Sequence, residues 1–165
     1  AASRRAGYAV VVVVSAMGDT TDRLLTLASR VAKDPAAREL DLLLSTGEGD
    51  SAPLMSMALN DLDIPAVSLL GFQAGIRTDR RHARARILGL APERVEAEIG
   101  QGRVVVVAGF QGIGEEMEVT TLGRGGSDTT AVALALALKA QRCEIFTDGR
   151  GIYTEDQRFV PEARL

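Results

Sequence analysis

Two unbroken runs of β-branched residues constrain this chain more than any other feature. Tyr8-Ala9-Val10-Val11-Val12-Val13-Val14-Ser15 and Arg103-Val104-Val105-Val106-Val107-Ala108 carry valine on successive positions rather than on alternate ones. A strand with one wet face alternates apolar and polar side chains. An unbroken run therefore suits a strand covered on both faces, as in a parallel sheet flanked by helices. Between and beyond the runs the periodicity turns helical. Leu24, Leu27, Ala28 and Val31 recur on one face, with Thr20 or Thr21 able to cap that helix and Lys33-Asp34-Pro35 to end it. A second helix is expected over 52–62, with Pro53 in its first turn, and a third over 92–99, closed by Gly100. Residues 66–70 and 142–147 read as further strands, 84–88 and Ile76 as short edge strands, and the segment near 115–120 as a hairpin. Strands alternating with helices predict an α/β fold, a three-layer αβα sandwich with a mainly parallel sheet and right-handed crossovers.

The length of 165 residues fits one domain over 1–165. A net charge of −3 gives no overall pull toward nucleic acid or an anionic membrane, and no apolar stretch approaches the roughly 20 residues that a span requires. The basic run Arg77, Arg80, Arg81, His82, Arg84 and Arg86 has no interleaved aromatic residues to stack bases, so it reads as a solvated face. Neither a nucleic-acid nor a membrane partner is expected, and the location is expected to be cytoplasmic. His82, the only histidine, lacks companions for a zinc site and is assigned a surface role; no metal-ligating residues are expected. The single cysteine, Cys143, lies in Cys143-Glu144-Ile145-Phe146 and reads as a buried structural thiol. The opening Ala1-Ala2-Ser3-Arg4-Arg5-Ala6-Gly7 reads like the end of a basic helix, and the chain is expected to have been cut from something longer.

The chemistry concentrates in polar, glycine-rich stretches at expected strand ends, where ligands sit in open α/β sheets. In Thr120-Thr121-Leu122-Gly123-Arg124-Gly125-Gly126-Ser127-Asp128-Thr129-Thr130, three glycines, one arginine and one carboxylate run into the strong helix former Ala131-Val132-Ala133-Leu134. Glycines admit a ligand close to backbone N–H groups, the helix supplies unpaired donors, and Arg124 can grip a carboxylate or phosphate with two parallel bonds. The segment also reads as an ordinary turn with Ser127 or Asp128 as helix cap. It matches neither a P-loop nor a dinucleotide fingerprint. Ser45-Thr46-Gly47-Glu48 is expected to precede a helix. There Glu48 could bind an ammonium and Ser45 or Thr46 orient an anion, or the cluster could simply cap the helix. Glu48 and Arg124 facing one pocket would recognise the two charged groups of an α-amino acid. In Thr147-Asp148-Gly149-Arg150-Gly151-Ile152-Tyr153-Thr154, Tyr153 could cover a ring and Asp148 take hydroxyl or amine hydrogens, or the segment could be a tight loop with a packed tyrosine; Arg158 could reach phosphates or be solvated.

Four segments together resemble the catalytic domain of the aspartokinases, within the amino-acid kinase superfamily: Val13 to Asp22, Leu43 to Glu48, Gly71 to Ile76 and Thr120 to Thr130, with likeness continuing through Thr147-Asp148 to Arg164. The resemblance implies the amino-acid kinase (carbamate kinase-like) fold and phosphoryl transfer from MgATP to the side-chain carboxylate of L-aspartate. That reaction is the entry to lysine, threonine and methionine synthesis. It implies Glu48 on the substrate ammonium, Arg124 on its α-carboxylate, Gly125, Gly126 and Ser127 on the acceptor side, and Thr46 among the substrate-binding residues. Asp128 organises the catalytic lysine, and Thr147, Asp148, Tyr153 and Arg158 face the nucleotide. It further implies a homo-oligomer or association with regulatory ACT-domain subunits. The family's N-terminal lysine strand does not occur in these residues, so the chain as given is expected to lack useful kinase activity. Gly49-Asp50 after Glu48, Gly149-Arg150-Gly151 after Asp148 and Gln157 before Arg158 depart from the family pattern. A non-catalytic remnant that binds an amino acid or a protein partner is the alternative.

Overall fold

In the computed structural model, which describes residues 2–147 together with 162 and 164, strand β5 carries the core. The elements up to it are α1 (Ala2–Arg5), β1 (Val11–Val14), α2 (Thr20–Val31), α3 (Ala37–Asp61), β2 (Ala66–Leu69), β3 (Ile76–Thr78), β4 (Ile87–Leu90), α4 (Glu93–Gly100) and β5 (Val104–Ala108). Then follow β6 (Gln111–Ile113), β7 (Val119–Thr121) and α5 (Gly126–Ala137). β5 pairs in parallel with β1 on one side and β2 on the other, and every one of its residues is buried. Val104, Val106 and Ala108 pack with Ala52 and Leu59 of α3; Val105 and Val107 pack with Val95 of α4 and Leu134 of α5. Helix, parallel sheet and helix thus form the three expected layers. The unbroken valine run is the direct consequence of a central strand facing apolar side chains on both sides.

A second sheet, in the order β4-β3-β6-β7, was not expected as such. Only its β3–β6 pair is parallel; β4–β3 and β6–β7 are antiparallel, the latter being the hairpin around 114–118. Ile76 opens β3, an interior strand rather than an edge, whereas β4 is indeed an edge. β1 is half-buried and forms an edge of the first sheet among the described residues, so its valines are less enclosed than their sequence suggests. The expected strand over 142–147 is absent. Those residues are exposed without regular structure, Phe146 at 89%, because no described strand pairs with them. Cys143 is accordingly exposed, not a buried thiol.

The largest departure is α3. It runs 25 residues, from Ala37 to Asp61, so Ser45-Thr46-Gly47-Glu48 lies in mid-helix rather than ahead of one, and Pro53 sits inside. Gly47, Gly49 and Pro53 are weak helix formers, so tertiary contacts hold this stretch helical. Its buried side is formed by Asp41, Ser45, Gly47, Glu48, Ser51, Ala52, Ser56 and Leu59, a helical repeat of mostly small and polar residues. α2 begins at Thr20, with Asp19 in the cap position and no side-chain cap bond, so neither threonine caps it.

Gly47 marks a tight approach of α3 to the chain just beyond β1: a Cβ there would stand 2.9 Å from Ala16 Cβ. A Cβ on Gly49 would meet only Leu70 Cδ2, at 3.7 Å. Gly47→Ala is expected to destabilise the protein by about 1–3 kcal/mol through overpacking. Gly49→Ala should be neutral or stabilising by up to about 1 kcal/mol, as for a helix-interior glycine. Denaturant midpoints of the two variants check this; equal shifts would contradict the tight contact.

Candidate functional site

The carboxyl-terminal ends of β1 and β5 lie side by side, with Gly109 N–H donating to Val14 O at 3.0 Å. Two helices approach this point from the two faces of the sheet. From α3, Glu48 reaches the chain beyond β1, where its Oε1 accepts the Ala16 N–H at 3.1 Å. From α5, Ser127 packs so closely on Gly109 that a Cβ there would fall 2.7 Å from Ser127 Oγ. Glu48 and Ser127 therefore flank the same pair of strand ends.

Glu48 is only 5% exposed, and its Oε2 is buried without a hydrogen-bond partner. Burial pushes its carboxyl above the usual carboxylate range, and the Ala16 amide bond offsets part of that push. A buried, half-satisfied carboxylate is costly and is matched to a cationic donor. An ammonium group has that chemistry.

The glycine-rich turn leads straight into α5. Gly125 holds a left-handed backbone (φ 70°) at the cap position, and no side chain caps the helix. Neither Ser127 nor Asp128 is therefore the cap; both lie inside the first turn. The first-turn N–H groups are left without a side-chain acceptor, at the positive end of a 12-residue helix, which favours an anion. Arg124 and Asp128 are exposed, and neither has an ion-pair partner among the described residues. Gly126 is buried against Phe110. The turn is braced from behind by Leu122 N–H on Phe110 O (2.8 Å) and by Phe110 N–H on Thr130 Oγ1 (3.2 Å).

Not every residue assigned from sequence comes to this place. Thr46 lies two positions from Glu48 on one helix, about 200° around its axis, and faces elsewhere. It is exposed, its hydroxyl donates to Leu43 O, and with Leu42, Asp50, Leu70 and Phe72 it lines a separate groove of about 450 Å³. Thr147 is exposed at the end of the irregular segment, while Asp148, Tyr153 and Arg158 lie outside the described residues. His82 is not a plain surface residue. It is half-buried, and its Nδ1 lies 2.9 Å from Asp41 Oδ2. Asp41, overlooked in the sequence, is 1% exposed and also accepts bonds from Ala83 and Thr121. An acid set beside the apolar Leu42-Leu43-Leu44 was the only available signal. Gln111, at the start of β6, is a second overlooked contact, donating to Ser45 O at 2.8 Å. Among the described residues no group of three or more histidine, cysteine or acidic side chains could hold a metal ion.

The model of the amino acid kinase family matches residues 1–165, and the chain belongs to that family. It is 53% identical to an aspartokinase of Bacillus sp. (strain MGA3) over 161 residues, covering 98% of this chain and 39% of that protein. The chain thus spans about two fifths of the length of the curated relatives it matches. Among solved structures, an aspartate kinase from Synechocystis matches 99% of this chain and 27% of its own, at 52% identity and a TM-score of 0.76. E. coli aspartokinase III, in complex with aspartate and ADP, matches 87% of this chain and 33% of its own, at 35% identity and a TM-score of 0.70.

The strained state of Glu48 gives a pH-dependent expectation. A carboxyl raised by folding contributes stability that is complete below its ordinary value of 4.5 and is lost as pH rises through the raised value. Glu48→Gln removes the charge while keeping an acceptor for Ala16. Without ligand, the variant is expected to match wild type below pH 4.5 and to become the more stable of the two as pH rises through the raised value. Thermal melts of both proteins across that range are the check. A variant less stable than wild type at neutral pH would show that Oε2 is satisfied.

Proposed function

We propose that this member of the amino acid kinase family is an aspartate kinase, moving the γ-phosphoryl group of ATP to the side-chain carboxylate of L-aspartate. The observation that carries this reading is the unpaired Oε2 of Glu48, buried at the strand ends that Ser127 and the head of α5 also flank. In this reading Glu48 accepts the substrate ammonium and Arg124 binds the α-carboxylate in a bidentate pair. Gly125, Gly126 and Ser127 border the acceptor carboxylate. An oxygen of that carboxylate bonds to the γ-phosphorus, the bond to the bridging oxygen breaks, and its electron pair leaves with ADP. The chain's contribution is positioning and charge neutralisation rather than covalent chemistry.

The uncapped first turn of α5 suits the phosphoryl oxygens, since its N–H groups and dipole oppose their charge. Magnesium, when bound with the nucleotide, neutralises phosphate charge. Asp128, exposed in that same turn, is assigned to organise a cationic side chain at the transferring group. Thr147, with Asp148, Tyr153 and Arg158, is assigned to the nucleotide. The likeness to aspartokinases, one of them a complex with aspartate and ADP, supports this choice of acceptor and donor. The reading carries with it a cytoplasmic location and a role in lysine, threonine and methionine synthesis. It also carries assembly as a homo-oligomer or with regulatory ACT-domain subunits.

Arg124→Ala in the full-length protein is expected to raise the aspartate KM roughly 10- to 150-fold, since hydrogen bonds to a charged group contribute about 1.5–3 kcal/mol. Arg124→Lys should fall between, keeping the charge but losing the fork. The ATP KM should hardly move. A coupled assay of ADP formation at varied aspartate measures all three. An unchanged aspartate KM in Arg124→Ala would contradict the assignment, and wild-type protein that binds aspartate without forming ADP would favour a non-catalytic binding domain.

A further inference from the structure

Asp41 is buried in the same helix as Glu48, seven residues earlier, yet it shares none of Glu48's chemistry. Its two oxygens are fully engaged. Oδ1 accepts the Thr121 hydroxyl at 2.6 Å and the Ala83 N–H at 3.0 Å. Oδ2 takes the Thr121 N–H at 3.1 Å, the Ala83 N–H at 3.0 Å and the His82 Nδ1 at 2.9 Å. All of these contacts come from outside α3, so the carboxylate does nothing for its own helix. It joins α3 to the end of β7 and to the segment at 82–85.

What those segments lead to gives the contact its meaning. Thr121 is the last residue of β7, and Arg124 stands three residues further on. Thr121 O also accepts the Ala85 N–H at 2.9 Å, and a Cβ on Gly123 would lie 3.1 Å from Ala83 O, so the 83–85 backbone lies along the root of the turn. On the other side, seven residues of α-helix are two turns, about 10.5 Å of rise, and bring Glu48 back to within about 20° of Asp41. A straight helix is stiff over that length. Asp41 is therefore the fixed point from which the position of Glu48 and the root of the Arg124 turn are both set.

We propose that Asp41 is a positioning residue for amino-acid recognition, fixing the spacing between Glu48 and Arg124 through Thr121 and the 82–85 segment. This rests on the reading of Glu48 and Arg124 as the two poles of the aspartate site. Asp41 itself touches no substrate. α3 has other ties to the second sheet: Gln111 Nε2 on Ser45 O at 2.8 Å, and the exposed Arg38–Glu118 pair at 2.8 Å. Those ties hold the helix on the sheet when Asp41 is changed. They do not reach the turn, so loss of Asp41 loosens recognition before it loosens the fold.

The test uses the full-length protein with four variants: Asp41→Ala, Asp41→Asn, Thr121→Val and, as reference, Arg124→Ala. Asparagine can still accept from the Thr121 and Ala83 amides while its NH2 donates to the Thr121 hydroxyl, so it should restore most function. Valine at 121 keeps the bulk and the amide bond and removes only the hydroxyl bond. The expected result is an aspartate KM raised roughly 10- to 100-fold in Asp41→Ala and less in Thr121→Val, with ATP KM unchanged. Asp41→Asn should lie near wild type. If Asp41→Ala does not fold, Thr121→Val decides the matter on the same readout. An aspartate KM that rises in Arg124→Ala but stays at the wild-type value in Asp41→Ala and Thr121→Val would overturn this inference alone. No rise in any of the four would overturn the underlying site as well. Aspartate and ATP KM values rising together would mark Asp41 as merely structural and overturn it too.

Discussion

A carboxylate taken out of water must be repaid with hydrogen bonds, and Asp41 is where this structure meets that demand in full. Two Thr121 donors, the Ala83 amide and the His82 ring surround it at 1% exposure. The donors come from three residues, so the carboxylate keeps partners when any one bond is removed. Because its partners come from β7 and the 82–85 segment, the cluster closes α3 onto the second sheet. Two helical turns on, Glu48 shows the opposite condition, with one oxygen satisfied by Ala16 and the other left without a partner. One helix therefore carries a completed carboxylate and an incomplete one on the same face. The first gives rigidity, and the second leaves room for a ligand.

The parallel core was legible because its cause is local. Val104 to Val107 are apolar on successive positions since β5 packs against helices on both faces. The glycine turn into α5 was legible for a similar reason: each glycine and the arginine answer to local backbone and charge chemistry. α3 was not. Its buried face is lined by Asp41, Ser45, Glu48, Ser51 and Ser56, while Leu42, Leu54 and Met57 are exposed, so the usual apolar period is inverted. Gly47 and Pro53 then argue against one continuous helix in sequence, and only contacts distant in the chain overrule them.

The same logic separates the site residues. Glu48 and Ser127 come to the same strand ends, and Arg124 stands at the head of the helix that carries Ser127, because the ends of two neighbouring parallel strands are a place several elements must pass. Thr46 followed Glu48 in sequence but not in space, once the segment proved helical. His82 and Cys143 were misread from opposite sides. A lone histidine in a basic run gives no hint of the aspartate 41 residues away that it meets, and a cysteine in an apolar run is exposed where its segment finds no described partner strand.

The central claim is that the open oxygen of Glu48 and the guanidinium of Arg124 receive the two charged groups of one amino acid. A crystal structure of the full-length protein with L-aspartate tests it most directly. The account predicts the amino nitrogen at about 3 Å from Glu48 Oε2, with the α-carboxylate paired to Arg124 by two hydrogen bonds. Aspartate bound elsewhere, with Glu48 Oε2 still unpaired, would contradict it.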